Sequence, residues 1–291
     1  MSASIAPMPS DQEELLGIAS AERQRLGRMM QFAEPATWEI PSAAAGWWNR
    51  DVVAHLGALD TAVAQLFAGE DAEEIEAYRA TLDDGAELDI DGFNAWSVAR
   101  RSGLEVRDVL DTWGRAADAA IAYAAQLTPG AWRDDRYPWF AGEIAPRFLV
   151  QSQVVEWFLH GEDMRATNGV RDGWQQRWQH WPVHLTIDMA VRMLPWQLSR
   201  RGIDLPGASL LIEAEGAGEG RWHWGLSPDE VPAPRAEPTV VIKAQAPQLA
   251  LVVGRRLDAD QAHDAGTVVL GGDVELADTC LLYTSDAADE L

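Results

Sequence analysis

Four stretches within the first 167 residues repeat their apolar side chains every three or four positions, the period of an α-helix with one buried face. Residues 11–32 carry Leu15, Ile18, Leu26 and Met30 at this spacing, and residues 47–68 carry Val52, Leu56, Leu59, Val63 and Leu66. A third run, 103–127, places Val106, Val109, Leu110, Trp113, Ala117 and Ile121 on one stripe until Pro129-Gly130 stops it. The fourth, 145–167, begins near Pro146. Each stripe must be covered, and four such helices side by side cover one another. The pattern predicts a four-helix bundle over residues 1–171. The acidic stretch 69–92 predicts a partly ordered excursion between the second and third helices.

Beyond Gly169 the period changes. A Trp-rich helix is expected over 174–201, then alternating segments at 208–214 and 221–225 joined by the turn Gly216-Ala217-Gly218-Glu219-Gly220, the pattern of a β-hairpin. A strand at 239–243, a helix at 247–255 and a strand at 267–270 complete a smaller α+β domain over 172–279. The fold class expected for the whole chain is therefore α+β.

Charge and cysteine usage remove several function classes. The 291 residues carry a formal charge of −23, with Lys243 the sole lysine. Phosphate recognition rests on clustered Lys and Arg, so nucleic acid is not an expected partner. No apolar run reaches the roughly 18 residues of a membrane span and residues 1–20 have no signal-peptide pattern, so the expected location is the cytoplasm with no membrane partner. Residues 280–291 begin with Cys-Leu-Leu-Tyr-Thr-Ser-Asp-Ala-Ala-Asp-Glu, which resembles a translated sequencing adaptor and is expected to be an artefact that cuts the natural second domain short near Thr279. The sole cysteine, Cys280, lies in that tail, so cysteine chemistry is not expected.

What chemistry there is must come from His, Glu, Asp and Arg. His55 lies within one turn of Val52 and Leu59 and therefore points into the bundle, where a histidine is ordinarily a hydrogen-bonded core residue. Glu156 and His160, four apart, share one helix face and are spaced to hold one ion. Ser152, Gln153 and Asp163 lie on the same arc, and a polar arc ordinarily meets water. His180 and His184 are also four apart, but Pro182, Trp178 and Trp181 around them indicate a packed helix start. His223 alternates with Trp222 and Trp224 in a strand, and His263 sits in an acidic loop.

The segment Gly46–Leu56 (GWWNRDVVAHL), followed about 100 residues later by Glu156–Arg165 (EWFLHGEDMR), resembles the mycothiol-dependent maleylpyruvate isomerase family of the DinB-like superfamily. Leu194–Gly202 (LPWQLSRRG), Val253–Arg255 and Gly272-Asp273 are similar to that family's C-terminal domain, which resembles sterol carrier proteins. The resemblance implies a DinB-like bundle with a divalent metal, zinc, on His55, Glu156 and His160. Two histidines and a carboxylate leave a fourth position open, as in catalytic zinc sites. Asp51 and Asp163 match the family's motif and are placed to orient a ligand imidazole, with helix capping or solvent exposure as the alternative.

The resemblance also implies mycothiol, a small-molecule thiol, as cofactor, held as a thiolate because bound zinc deprotonates a coordinating thiol. In the isomerase, that sulfur adds to the cis double bond of maleylpyruvate, the new single bond rotates, and elimination gives fumarylpyruvate. Arg255 matches the family's Gly-Arg segment and is the candidate catalytic clamp for a substrate carboxylate. Two other classes remain open: a metal-dependent hydrolase with Glu143 or Asp163 as base, and a non-catalytic module that binds a small ligand. If one ion is shared, the ligand atoms of His55, Glu156 and His160 should converge to about 4 Å.

Overall fold

Asp11 opens the first helix by accepting the Glu14 N–H on its carboxylate, leaving α1 (Gln12–Gln31) to bury Leu15, Ile18, Leu26 and Met30. The structure is a computed structural model and describes residues 11–83, 86, 88–140, 142–167, 178–228 and 237–286. It divides into two units, the first within 9–176 and the second within 177–289. The boundary expected at 171–172 and the tail residues 287–291 lie outside the described residues.

In the first unit a 3-10 turn, Pro35–Glu39, leads to α2 (Asn49–Phe67), which is buried on nearly every side. Val52, Leu56, Leu59 and Val63 form the stripe seen in the sequence, but Val53, Ala54, Ala58 and Ala62 are buried as well. Next come α5 (Val106–Ala124) and α7 (Pro146–Thr167), both packed against α2, while α1 packs against α5 and α7. Burying side chains such as Leu56, Leu149 and Phe158 supplies about 1.5–3 kcal/mol each. Within their own helices, Arg165 pairs with Glu162 of α7, both buried, and the half-buried Arg25 pairs with the buried Glu22 of α1.

The acidic excursion is more ordered than expected. It contains α3 (Glu73–Arg79) and the start of α4 (Ile90–Arg101). Asp89 caps α4 by accepting the Gly92 N–H at 2.6 Å, and Ile90, Phe93 and Val98 bury its inner face against α2. A short helix, α6 (Pro129–Asp134), and a small hairpin, β1 (Tyr137–Trp139) with β2 (Gly142–Ile144), precede α7. These elements were not anticipated, because each is too short for a helical or alternating period to declare itself.

The second unit starts with α8 (His180–Arg200), which carries Pro182 near its start and Pro195 in its interior. Its sheet has β3 (Ser209–Glu215), β4 (Gly220–Gly225), β5 (Val240–Gln245) and β6 (Val268–Gly272) in the order β4-β3-β5-β6. The expected hairpin is β3 with β4, antiparallel with Leu211 opposite His223. Strand β5 runs parallel to β3 with Leu210 beside Val240, a pairing that needs a crossover. Along β5, Val240, Ile242 and Ala244 are buried and Lys243 is exposed. Helices α9 (Ala246–Val253) and α11 (Val274–Asp286) pack with α8, and α10 (Ala259–Asp264) lies between α9 and β6 in sequence. Helix α11 carries the chain through Cys280 and Leu281, both buried, and burial pushes the Cys280 thiol up to about 12, so it stays protonated at neutral pH. The whole is a mixed α+β fold, and no helix among the described residues is long and apolar enough to cross a membrane.

Candidate metal centre

The polar arc of α7 does not face water. Gln151, Ser152, Gln153, His160 and Asp163 are buried, and Glu156 is nearly so. This overturns the solvated-face reading of Glu156 and His160. The physical reason is that α7 is packed on all sides, so its polar residues face other polar residues inside the bundle.

His55, two turns into α2, meets that arc. Its Nε2 donates to Glu156 Oε2 at 3.1 Å, and His160 Nε2 approaches the same oxygen at 3.2 Å. One ligand atom from each of His55, Glu156 and His160 lies within 4.8 Å of the other two, and among the described residues this is the group so placed to hold a metal ion. An ion bonded at about 2.1 Å to each separates tetrahedral ligands by about 3.4 Å; the two contacts to Glu156 are near that spacing, whereas the three ligand atoms together spread to 4.8 Å, wider than the convergence expected from the sequence. Trp47 covers the two imidazoles, its ring centroid 4.9 Å from that of His55 and 6.0 Å from that of His160.

The electrostatics fit a cation. Burial alone would raise the Glu156 carboxyl, but hydrogen bonds from His160 and His55 outweigh it and hold the group well below the usual carboxylate range. Burial lowers the His55 pKa, with the Glu156 hydrogen bond as partial offset, so this imidazole is neutral and ready to ligate. Burial also acts to lower His160, yet hydrogen bonds to Asp163 and Glu156 raise it overall. A carboxylate and a protonated imidazole thus occupy the space where a divalent ion would take over the positive charge.

Around this centre the residues nominated by sequence have different fates. Asp163 Oδ2 accepts the His160 Nδ1 proton at 2.9 Å, one turn along α7. Asp51 is a correction: its Oδ2 accepts the Trp48 backbone N–H at 2.9 Å and so closes the first turn of α2 instead of touching an imidazole. Glu143 is exposed on β2. Arg255, in the second unit, is exposed at the end of α9 with φ 59°, a left-handed conformation more usual for glycine. His180 starts α8, and His184 Nδ1 lies 3.1 Å from the Glu219 carbonyl oxygen, consistent with the packed helix start expected.

Sequence reasoning missed Asp60. This carboxylate is buried on α2 and accepts from Gln153 Nε2 at 2.9 Å and Trp157 Nε1 at 2.8 Å, two residues that flank Glu156 on α7. Burial pushes it up to about 7 against the pull of those donors. The signal available was a lone acid inside the apolar run Leu59–Val63.

A family profile described as the mycothiol maleylpyruvate isomerase N-terminal domain matches residues 19–165, just over half of the chain. Among solved structures, the crystal structure of a mycothiol-dependent maleylpyruvate isomerase aligns with TM-score 0.58 and 15% identity over 91% of this chain and 95% of that one. The structure of a histidine-to-alanine mutant of such an isomerase gives TM-score 0.57 at 14% identity with the same coverage. At these identities the likeness concerns the fold. No curated protein matches the sequence.

Proposed function

The chain belongs to the mycothiol maleylpyruvate isomerase N-terminal domain family, and from that premise we propose that it is a metal- and mycothiol-dependent isomerase or thiol S-transferase acting on a small, carboxylate-bearing electrophile. The observation that carries the reading is the buried convergence of His55, Glu156 and His160 from two helices, two neutral-capable nitrogens around one carboxylate. In this reading those three side chains hold one divalent ion, zinc. A bound zinc would supply an open coordination position at which a thiol is held as its thiolate.

The chain's own residues do the rest. Glu156, ionised throughout the neutral range, gives the ion one compensating charge. Asp163 fixes the orientation of His160, so that Nε2 and not Nδ1 is presented to the site. Trp47, packed over both imidazoles, limits the access of water to one side of the centre. Arg255 remains the candidate for holding the substrate carboxylate, on the family resemblance and on the two-point geometry of guanidinium alone.

The test is turnover of maleylpyruvate by the zinc-loaded full chain with and without mycothiol, followed as formation of fumarylpyruvate. Conversion that needs the thiol supports the reading. Hydrolytic products that form equally well without thiol contradict it.

A further inference from the structure

Glu156 and His55 stand on different helices, so their meeting depends on how α7 is set against α2. The two helices touch through polar groups at two heights. At the first, His55 Nε2 reaches Glu156 Oε2 at 3.1 Å, and the His55 ring lies edge-on to that of His160 with centroids 4.8 Å apart. The second is Asp60, five residues on and about 7.5 Å further along α2 at the α-helical rise. Its Oδ1 accepts from Gln153 Nε2 at 2.9 Å and its Oδ2 from Trp157 Nε1 at 2.8 Å. All three of these side chains are buried.

On α7 the residues reached are Gln153, Glu156, Trp157 and His160, spaced three and four apart on one stripe. Glu156 therefore sits between the two donors that Asp60 holds, with Gln153 one turn before it and Trp157 directly after. From His55 to Asp60 the partners step back along α7, so the helices run antiparallel and are pinned at two points. One pin leaves a helix free to slide or turn about it, whereas two fix both motions. Apolar packing does less of this task here, because α2 packs far more extensively against α5 than against α7. A carboxylate suits the post, since each of its oxygens takes one donor.

We propose that Asp60 is the positioning residue of Glu156: its carboxylate staples Gln153 and Trp157 to α2 and so sets the register of α7 at which Glu156 meets His55. The inference rests on the metal reading of the site. It divides two tasks between two acids, since Glu156 holds the ion while Asp60, its oxygens taken by Gln153 and Trp157, decides where Glu156 stands. It also gives a reason for burying an acid at a position where an apolar side chain costs less.

The experiment compares zinc affinity of the full chain, by competition with a chromophoric chelator, with the visible absorption of the cobalt(II)-loaded form, which reports coordination geometry. Thermal unfolding checks the folding of each metal-free protein. Asp60→Ala is expected to bind zinc at least about tenfold more weakly, in the range that residues behind metal ligands command, and to change the cobalt spectrum. Asp60→Asn is expected to restore both. Its oxygen accepts from Trp157, and its amide donates to Gln153 Oε1, which is buried without a hydrogen-bond partner among the described residues, once the Gln153 amide turns over. A merely structural Asp60 would lower the unfolding temperature of Asp60→Ala and leave its zinc affinity and cobalt spectrum unchanged, a result that overturns the inference. Asp60→Asn binding no better than Asp60→Ala also overturns it, because the negative charge and not the staple then matters. Should Asp60→Ala fail to fold, Trp157→Phe, which removes one donor and keeps an aromatic ring, decides: weaker zinc binding with an altered cobalt spectrum supports the staple, and no change in either overturns it. These results bear on this inference alone, whereas no zinc binding by the unchanged protein overturns the metal reading and this inference with it.

Discussion

His160 donates its Nδ1 proton to Asp163 at 2.9 Å while its Nε2 stands 3.2 Å from Glu156, so one imidazole is clasped between two carboxylates of its own helix. The spacing of three and four residues on α7 makes this possible, because both acids then lie within a turn of the ring. The arrangement fixes which nitrogen the site receives. Asp163→Ala should therefore leave the bundle folded and weaken zinc binding by about 10–100-fold, with Asp163→Asn recovering part of the loss through its amide oxygen. Chelator competition checks this, and equal affinity in all three proteins would show that Asp163 serves packing alone.

The same clasp predicts how metal binding depends on pH. The hydrogen bonds to Asp163 and Glu156 raise the His160 pKa above its ordinary 6.5, so the metal-free ring is protonated on both nitrogens up to and beyond that pH. A metal ion must displace the Nε2 proton, whereas His55, lowered by burial, has none to give beyond that of the neutral ring. Zinc affinity should rise about tenfold per pH unit up to the His160 pKa and level off above it. Titrations in buffers from pH 5.5 to about 8.5 check the slope, and a flat profile would exclude the doubly bonded His160 as a ligand.

Asp60 tests the frame behind the ligands. Its carboxylate joins α2 to α7 through Gln153 and Trp157, on either side of Glu156. Asp60→Ala leaves two buried N–H donors without an acceptor, a cost of about 1–3 kcal/mol for each group left unsatisfied. Burial pushes the Asp60 pKa up to about 7 from 3.8, so the folded state binds its proton more tightly than the unfolded chain does. The stability this proton confers is fully present below about pH 3.8 and is lost as pH rises through about 7. Denaturant unfolding of the metal-free protein should therefore show wild type losing ground to Asp60→Asn between about pH 4 and pH 7, by a few kcal/mol in order of magnitude. A difference that does not vary with pH would mean that Asp60 is ionised at every pH measured.

Much of this architecture is legible in the chain. The stripes of α1, α2 and α5 announce themselves by period, and the β3–β4 hairpin by alternation around a glycine-rich turn. Helix α4 does not, because acidic residues and a turn-like Asp-Asp-Gly precede it and its buried positions, Ile90, Phe93, Ser97 and Val98, include a polar one. For the site, the Glu156–His160 spacing is visible, but whether that arc meets water or another helix depends on tertiary packing that no local period encodes. The approach of His55 to Glu156, about 100 positions apart, is of the same kind. Asp60 was missed because a single acid on a helix carries no spacing signal at all.

Metal content of the full chain, measured on protein loaded with zinc and freed of excess, tests the central claim most directly when His55→Ala, Glu156→Gln and His160→Ala are measured beside it. The account predicts about one zinc per chain in the unchanged protein and its loss in each of the three variants, with folding retained. Zinc that stays bound at the same stoichiometry in any of these three variants, or an unchanged protein that retains none, would contradict it.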